Sequence, residues 1–565
     1  MILRRLAPLA LASLSLTAVA AAPRPAAACG GTFCDAGPQS MSVDQSGETI
    51  LFVMEDGWVE AHVQIDYQGD PAQFAWIVPV MAQPEIGVGS QRFVQAALDA
   101  TVPTFTVTTR FEGDCSRPLD GIGCAADMAF AGSIEDGGDF EDDPGQPSVL
   151  AQDVAGAYEY AVLEGGTVDG IGQWLDDNGY ARDDQAPEIL QSYLDEGFLF
   201  VAFKLRPGAG VDQIHPVVLR YPGTEPCIPL RLTRIAAVDD MQIRALFLGR
   251  ERVVPANYRH VELNPARFDW IGLGANYDEL VREAVDAPGA DGRAFVTEYA
   301  GISSVIDASA VMGPWDSEAY AAANARDLTG ILERQELIAC GDLGPDGDLD
   351  PGCGLAHPML LPLLEAYFPP PPGADPEDFY LCTSCEAEVD ESAWDPAGFM
   401  AAFEERIVGP GEHALDVLRS NPYLTRLYTM MSPGEMTTDP LFHERPDLPG
   451  VSNQWTATRV NHCEHNDRFE LDDGTTIYLD DGGQQPELTE TSAALRVEEI
   501  PLAGAPMVLL DASQSDELAA WNATFGPSQG CECRASARHT RGAGWLGLLA
   551  LLGLRARSRR RAPAR

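Results

Sequence analysis

Ile50–Val80 reads ILFVMEDGWVEAHVQIDYQGDPAQFAWIVPV, and its pattern sets the class of the fold. Ile50–Met54, Trp58–Tyr67 and Phe74–Val80 are rich in β-branched and aromatic side chains, which suit a pleated, half-buried surface. Between them stand Glu55-Asp56-Gly57 and Gln68-Gly69-Asp70-Pro71, residues that favour turns. Three successive strands are expected. Alternation along the third places Phe74 and Trp76 on one face, where they fill a core. Thr104–Phe111 continues the pattern, and more strands are expected over Phe198–Val254, including Val217–Tyr221 and Met241–Leu248.

Further along, the periodicity changes. From about 276 to 430 the chain turns helical, with Trp315–Leu337, His357–Tyr367, Ala397–Ile407 and His413–Leu418 as amphipathic segments. Residues 452–512 return to short strands. The expected class is α+β, with β-rich N-terminal and C-terminal parts around a helical middle, stapled by disulfides. The parts divide into a signal peptide (1–28), a β-rich part (29–265) with an acidic loop at 132–148, and a helical middle (266–445). A short-strand part (446–526), a linker with a cysteine motif (527–541) and a hydrophobic segment with clustered arginines (542–565) complete the chain.

Charge excludes several classes. The 565 residues carry 37 basic and 86 acidic side chains, a formal charge of −49, so phosphate backbones are repelled and nucleic-acid binding is not expected. Lys204 is the only lysine. It lies in an apolar strand run, Phe198–Leu205, where its amine is expected to snorkel from a strand edge. It has no Gly-rich loop before it and no serine three residues upstream. P-loop, Schiff-base and Ser–Lys chemistry are therefore not expected.

Both ends read as addresses. Arg4 and Arg5 precede an apolar stretch, Leu6–Ala22, and a Pro23-Arg24-Pro25 break follows, the pattern of a secretory signal. Cleavage after Ala20, Ala22 or Ala28 fits, and the last choice exposes Cys29 to lipoprotein processing. At the other end, Cys531-Glu532-Cys533 is followed by Gly542–Leu554 and an arginine cluster ending the chain. Thirteen apolar residues cover roughly 20 Å, short of a hydrocarbon core of about 30 Å, so the segment suits a stop-transfer helix backed by arginines better than a permanent span. This ending resembles the myxobacterial C-terminal sorting tag. The resemblance implies handling by the export and C-terminal sorting machinery, modification at Cys531 or Cys533, and tethering to a membrane through the C-terminal segment or a lipid. Without the two ends, residues 29–533 hold 25 basic against 86 acidic side chains, or −61.

Setting aside Cys531 and Cys533 leaves ten of the 12 cysteines, an even number in an exported chain, so disulfides are the default. Local pairs suggest themselves at Cys29–Cys34, Cys115–Cys124, Cys340–Cys353 and Cys382–Cys385, leaving Cys227 and Cys463 to each other. Cys382-Thr383-Ser384-Cys385 also has the spacing of a redox or zinc motif, but its acidic surroundings disfavour a thiolate.

Candidate chemistry is sparse. Gly526-Pro527-Ser528-Gln529-Gly530 matches a nucleophile-elbow pattern without its strand–turn–helix context. His462-Cys463-Glu464-His465 supplies only two histidines once Cys463 is oxidised. In Asp342–Cys353, Asp346, Asp348 and Asp350 alternate as calcium ligands do, against a simpler solvated turn. Pro351 and His357 replace the glycine and glutamate that an EF-hand loop requires. Arg426 is expected beside Glu435 or Asp439 as a paired structural cation.

Several segments together resemble a bacterial family of exported proteins known as domain-of-unknown-function family 2330. They are Cys29–Cys34 (CGGTFC), Val43–Glu48 (VDQSGE), Phe74–Val80 (FAWIVPV), Ile228–Ala236 (IPLRLTRIA), Leu424–Thr429 (LTRLYT), Met431–Pro433 and Glu435–Thr437. The resemblance implies export and frequent surface tethering, and it supplies no catalytic residues. The expected function is that of a non-enzymatic, surface-anchored binding or envelope component. The alternative is an exported hydrolase whose carboxylate acid–base pair is hidden among the 86 acids.

Overall fold

The protein is described by a computed structural model covering residues 45–64, 75–113, 147–178, 186–235, 237–340, 352–385 and 389–527. Phe74, Cys29, Cys34, Cys115, Cys124, Asp346, Asp348, Asp350, Cys531, Cys533, the signal and the C-terminal segment lie outside these residues. The fold is α+β, as the sequence leads one to expect.

Its frame is a ten-stranded mixed sheet. From one edge to the other the strands are Met507–Asp511, Ala494–Glu499, Arg259–Leu263, Ala294–Ile302, Tyr423–Met431, Ala237–Gly249, Gln45–Glu55, Trp58–Gln64, Val217–Pro222 and Glu85–Val88. The strands come from the N-terminal, middle and C-terminal thirds alike, so one sheet unites the three. Gln45–Glu55 lies deep in it, parallel to Ala237–Gly249 and antiparallel to Trp58–Gln64. That position explains the unbroken apolar run Ile50–Val53: a strand covered on both faces has no solvent side to alternate with.

Ile50 and Phe52 face a four-stranded sheet of Ala75–Val80, Leu199–Leu205, Tyr158–Glu164 and Ser148–Ala155. Trp76, whose core role was expected, stacks on Phe203 there at 5.0 Å between ring centres. Lys204 is on an interior strand of this sheet, not an edge, and pairs across the ladder with Glu159 at 3.2 Å. Leu51 and Val53 face the other way, onto the helices Gln91–Thr101 and Gly409–Ser420. Ser90 caps the first of these by accepting from the Phe93 N–H at 3.2 Å.

A further four-stranded sheet, Thr104–Glu112 with Gln454–His462, Arg468–Leu471 and Thr476–Tyr478, and the helix Tyr277–Val285 share a second core at the far end of the main sheet. The helical middle has its own aromatic core around Tyr320, Phe399, Phe403 and Phe368. Its Trp315–Leu337 segment is not one helix but short 3₁₀ turns before Leu328–Arg334, because the chain is extended at Asn324 in the middle of it.

Two of the local disulfides are present. Cys340–Cys353 joins the paired strands Ile338–Cys340 and Cys353–Leu355, and Cys382–Cys385 closes the end of the helix Pro376–Leu381. The long pairing of Cys227 with Cys463 does not occur. Cys463 is disulfide-bonded, whereas Cys227 is a free thiol. Location is the reason. Cys227 pairs its backbone with Leu441, while Cys463 donates its N–H to Glu112 O at 3.1 Å.

Candidate functional site

Trp58–Gln64 alternates, so Val59, Ala61 and Val63 enter the inter-sheet core while Glu60 and His62 share the opposite face. Both are buried, His62 at 1% exposure. On that face the helix Gly409–Ser420 brings in His413. The two imidazoles converge on one carboxylate oxygen, Glu60 Oε1, with His413 Nε2 at 2.6 Å and His62 Nε2 at 2.8 Å. His62 also packs edge-on against Phe93 at 5.7 Å and parallel to His413 at 6.0 Å.

Burial pushes the Glu60 carboxyl up, but the hydrogen bonds from His413 and His62 outweigh it and hold the group well below the usual carboxylate range. The hydrogen bond to Glu60 correspondingly raises His413 against its partial burial. Arg220 Nε lies 3.8 Å from Glu60 Oε2. Its guanidinium is shared with Glu55 at 3.2 Å and Glu85 at 3.4 Å, and it stacks over Trp58.

Glu60 and His413 line an open groove of about 610 Å³. One wall is the edge strand Glu85–Val88. The other is Gly409, Pro410 and a π-helical turn, Glu404–Val408, that delivers Glu404 and Glu405. Pro410 has no N–H to give to the preceding turn, which favours the wider turn there. Four carboxylates, those of Glu60, Glu85, Glu404 and Glu405, face one guanidinium, Arg220. The groove is therefore a cation-attracting surface.

A second cavity lies between the two sheets. It offers about 50 Å³, lined by Ile50, Phe52, Trp76, Tyr221 and Cys227 with Glu48 at one end. Burial raises Glu48 to about 7, against the lowering hydrogen bond from Thr233. That space holds a few waters at most and no substrate.

The residues singled out in the sequence fare unevenly. Arg426 is a buried, paired cation, but its partner is Glu298 rather than Glu435 or Asp439. It also donates to Leu98 O at 2.9 Å, and Tyr277 donates to Glu298 at 2.8 Å. Asp439 is taken by Arg231 at 2.8 Å. His357 is buried against Trp315, its imidazole lowered to about 3 by burial, so it belongs to the core. His462 and His465 lie 4.6 Å apart beside the oxidised Cys463. Cys382 and Cys385 follow the helix Pro376–Leu381 at its C-terminal end, whereas a reactive CxxC gains from a helix N-terminus.

Glu60, His62 and His413 were not singled out from the sequence. A signal existed for two of them, because Glu60 and His62 are polar residues at strand period within an apolar run. His413 is 353 residues from Glu60, and nothing in the sequence links them.

Fold and site together define an α+β protein with a carboxylate–bis-imidazole cluster at the foot of an acidic groove. Residues 23–335, more than half of the chain, match the family described as "Uncharacterized protein conserved in bacteria (DUF2330)", and the chain belongs to that family. The matched stretch includes Glu60 and His62 and ends before His413. No curated protein and no solved structure matches the chain.

Proposed function

We propose that this is an exported protein, held at the cell surface through its C-terminus, that displays a non-enzymatic binding module for a cation. The observation that carries the binding part is the groove, where Glu60 is kept ionised among three further carboxylates. Support for export and tethering comes from the charged-then-apolar N-terminus and from the Cys531-Glu532-Cys533 motif with its hydrophobic and arginine-rich tail, which resembles the myxobacterial sorting tag. Among the described residues no helix is long and apolar enough to cross a membrane, and Gly542–Leu554 lies outside them.

Binding is favoured over acid–base hydrolysis by where the shifted carboxyls sit. A general acid or base works best with a pKa near the operating pH. Glu48 has such a value but occupies a cavity with no room for a substrate. Glu60 faces the open groove but is pinned in its charged form. Mass spectrometry of the mature protein from its native host tests the tethering. An intact Arg565 with unmodified Cys531 and Cys533 contradicts it. Calorimetric titration of the same protein with spermine tests the groove, and binding that Glu404→Gln/Glu405→Gln leaves unweakened contradicts that part.

A further inference from the structure

We infer that Glu60, His62 and His413 form a site for a divalent transition-metal ion of zinc-like character. This inference rests on the reading of the groove as a cation site and names the cation. Among the described residues these three offer one donor atom each, all within 4.8 Å of one another. Two imidazoles with one carboxylate suit borderline ions such as zinc, whereas calcium and magnesium call for an all-oxygen shell.

The geometry is close to what such an ion needs. Metal–donor distances of about 2.0–2.1 Å place tetrahedral donors roughly 3.4 Å apart. The two Nε2···Oε1 contacts of 2.6 and 2.8 Å are hydrogen bonds, so protons occupy the place of the ion and leave as it binds. Opening the 2.8 Å contact by about 0.6 Å and the 2.6 Å contact by about 0.8 Å admits it.

Rigidity and access divide between the donors. Glu60 is laddered between Val53 and Arg220, and His62 between Leu51 and Val218, so both are fixed by strands on either side. His413 is half-exposed on the groove wall, where it leaves an entry path.

Two further observations point the same way. His62 is fully buried, yet its Nδ1 has no hydrogen-bond partner and its Nε2 serves only Glu60. The one polar contact of this buried imidazole is thus the one to Glu60, made by the same nitrogen that would take the ion. An ion on Nε2 leaves Nδ1 as a buried N–H without a partner. Charge also matches. Glu55, Glu60 and Glu85 share the single guanidinium of Arg220, which leaves two negative charges for a divalent ion to balance. The pair His462 and His465 offers no such set, having two imidazoles beside an oxidised cysteine.

The test is a cobalt(II) titration of the full-length protein, read by visible ligand-field absorption and followed by displacement with zinc(II). One equivalent per chain is expected, displaced by zinc, with affinity at least tenfold weaker in His413→Gln and unchanged in His465→Ala. Circular dichroism confirms that the half-exposed His413→Gln variant is folded, and Glu60→Gln adds a second removal of a donor. A folded native chain without a cobalt spectrum overturns the inference. So does a spectrum that His465→Ala abolishes and His413→Gln leaves unchanged. Spermine titration in parallel separates the two readings. Spermine binding without cobalt or zinc binding removes only the metal, and the failure of all three removes the cation groove as well.

Discussion

Replacing Arg426 by methionine removes the buried cation opposite Glu298 while keeping most of the side-chain volume. Arg426 and Glu298 are each no more than 4% exposed, so the arginine leaves behind a carboxylate with only Tyr277 donating to it at 2.8 Å. Breaking a buried pair in this way costs about 3–5 kcal/mol. Unfolding entropy of about 2.1 cal/mol/K per residue over roughly 500 residues gives close to 1 kcal/mol per degree, so Tm falls by about 3–5 °C. The loss depends on pH. Burial already raises Glu298 against the lowering influence of Arg426, and without the arginine it rises further. A folded-state carboxyl above its unfolded value of 4.5 destabilises increasingly as pH rises through that range. Arg426→Met should therefore trail the parent most at pH 8 and least at pH 5 in differential scanning calorimetry. The double variant Arg426→Met/Glu298→Met should recover most of the loss. A single variant within 1 °C of the parent, or a deficit equal at both pH values, contradicts a stabilising Arg426–Glu298 pair.

Three other outcomes are expected. His413 is raised by Glu60 and so stabilises the fold fully below its ordinary 6.5, a contribution lost as pH rises through its folded value; Glu60, held low, loses its share as pH falls below 4.5. His413→Gln should thus cost about 1 kcal/mol between those values, modest because His413 is half-exposed, and almost nothing at pH 9 in denaturant titrations. Replacing Cys340 and Cys353 by serine opens a loop with a sequence separation of 13, which removes about 3 kcal/mol and about 3 °C of Tm by the same conversion; an unchanged midpoint contradicts this. Burial pushes the Cys227 thiol up, so it should react slowly with iodoacetamide in the native chain, and Cys227→Ser should remove one thiol from the denatured, unreduced protein, a loss that a Cys227–Cys463 bridge forbids.

Strands were easier to read than their neighbours. Ile50–Val53 announces a strand, and its lack of alternation is the mark of one covered on both faces, yet its parallel partner Ala237–Gly249 is far away in sequence. Trp58–Gln64 carried two of the three site residues in its alternation, but His413 arrives only because the sheet and the helix Gly409–Ser420 close on each other. Arg426 was readable as a paired cation from the excess of acidic side chains around it, but not its partner, because Glu298 comes from the neighbouring strand Ala294–Ile302. The cysteines show the same boundary. Hairpin-scale pairs such as Cys340–Cys353 follow from proximity along the chain, whereas assigning Cys227 to Cys463 by elimination fails once Cys463 lies against Glu112 instead.

The most direct measurement is an anomalous difference map at the zinc absorption edge, from crystals of the full-length protein grown with equimolar zinc. One dominant peak is expected among Glu60, His62 and His413, about 2.0–2.2 Å from an Nε2 of each histidine and a carboxylate oxygen of Glu60. A map without a peak there, or with its dominant peak beside His462 and His465, contradicts this site.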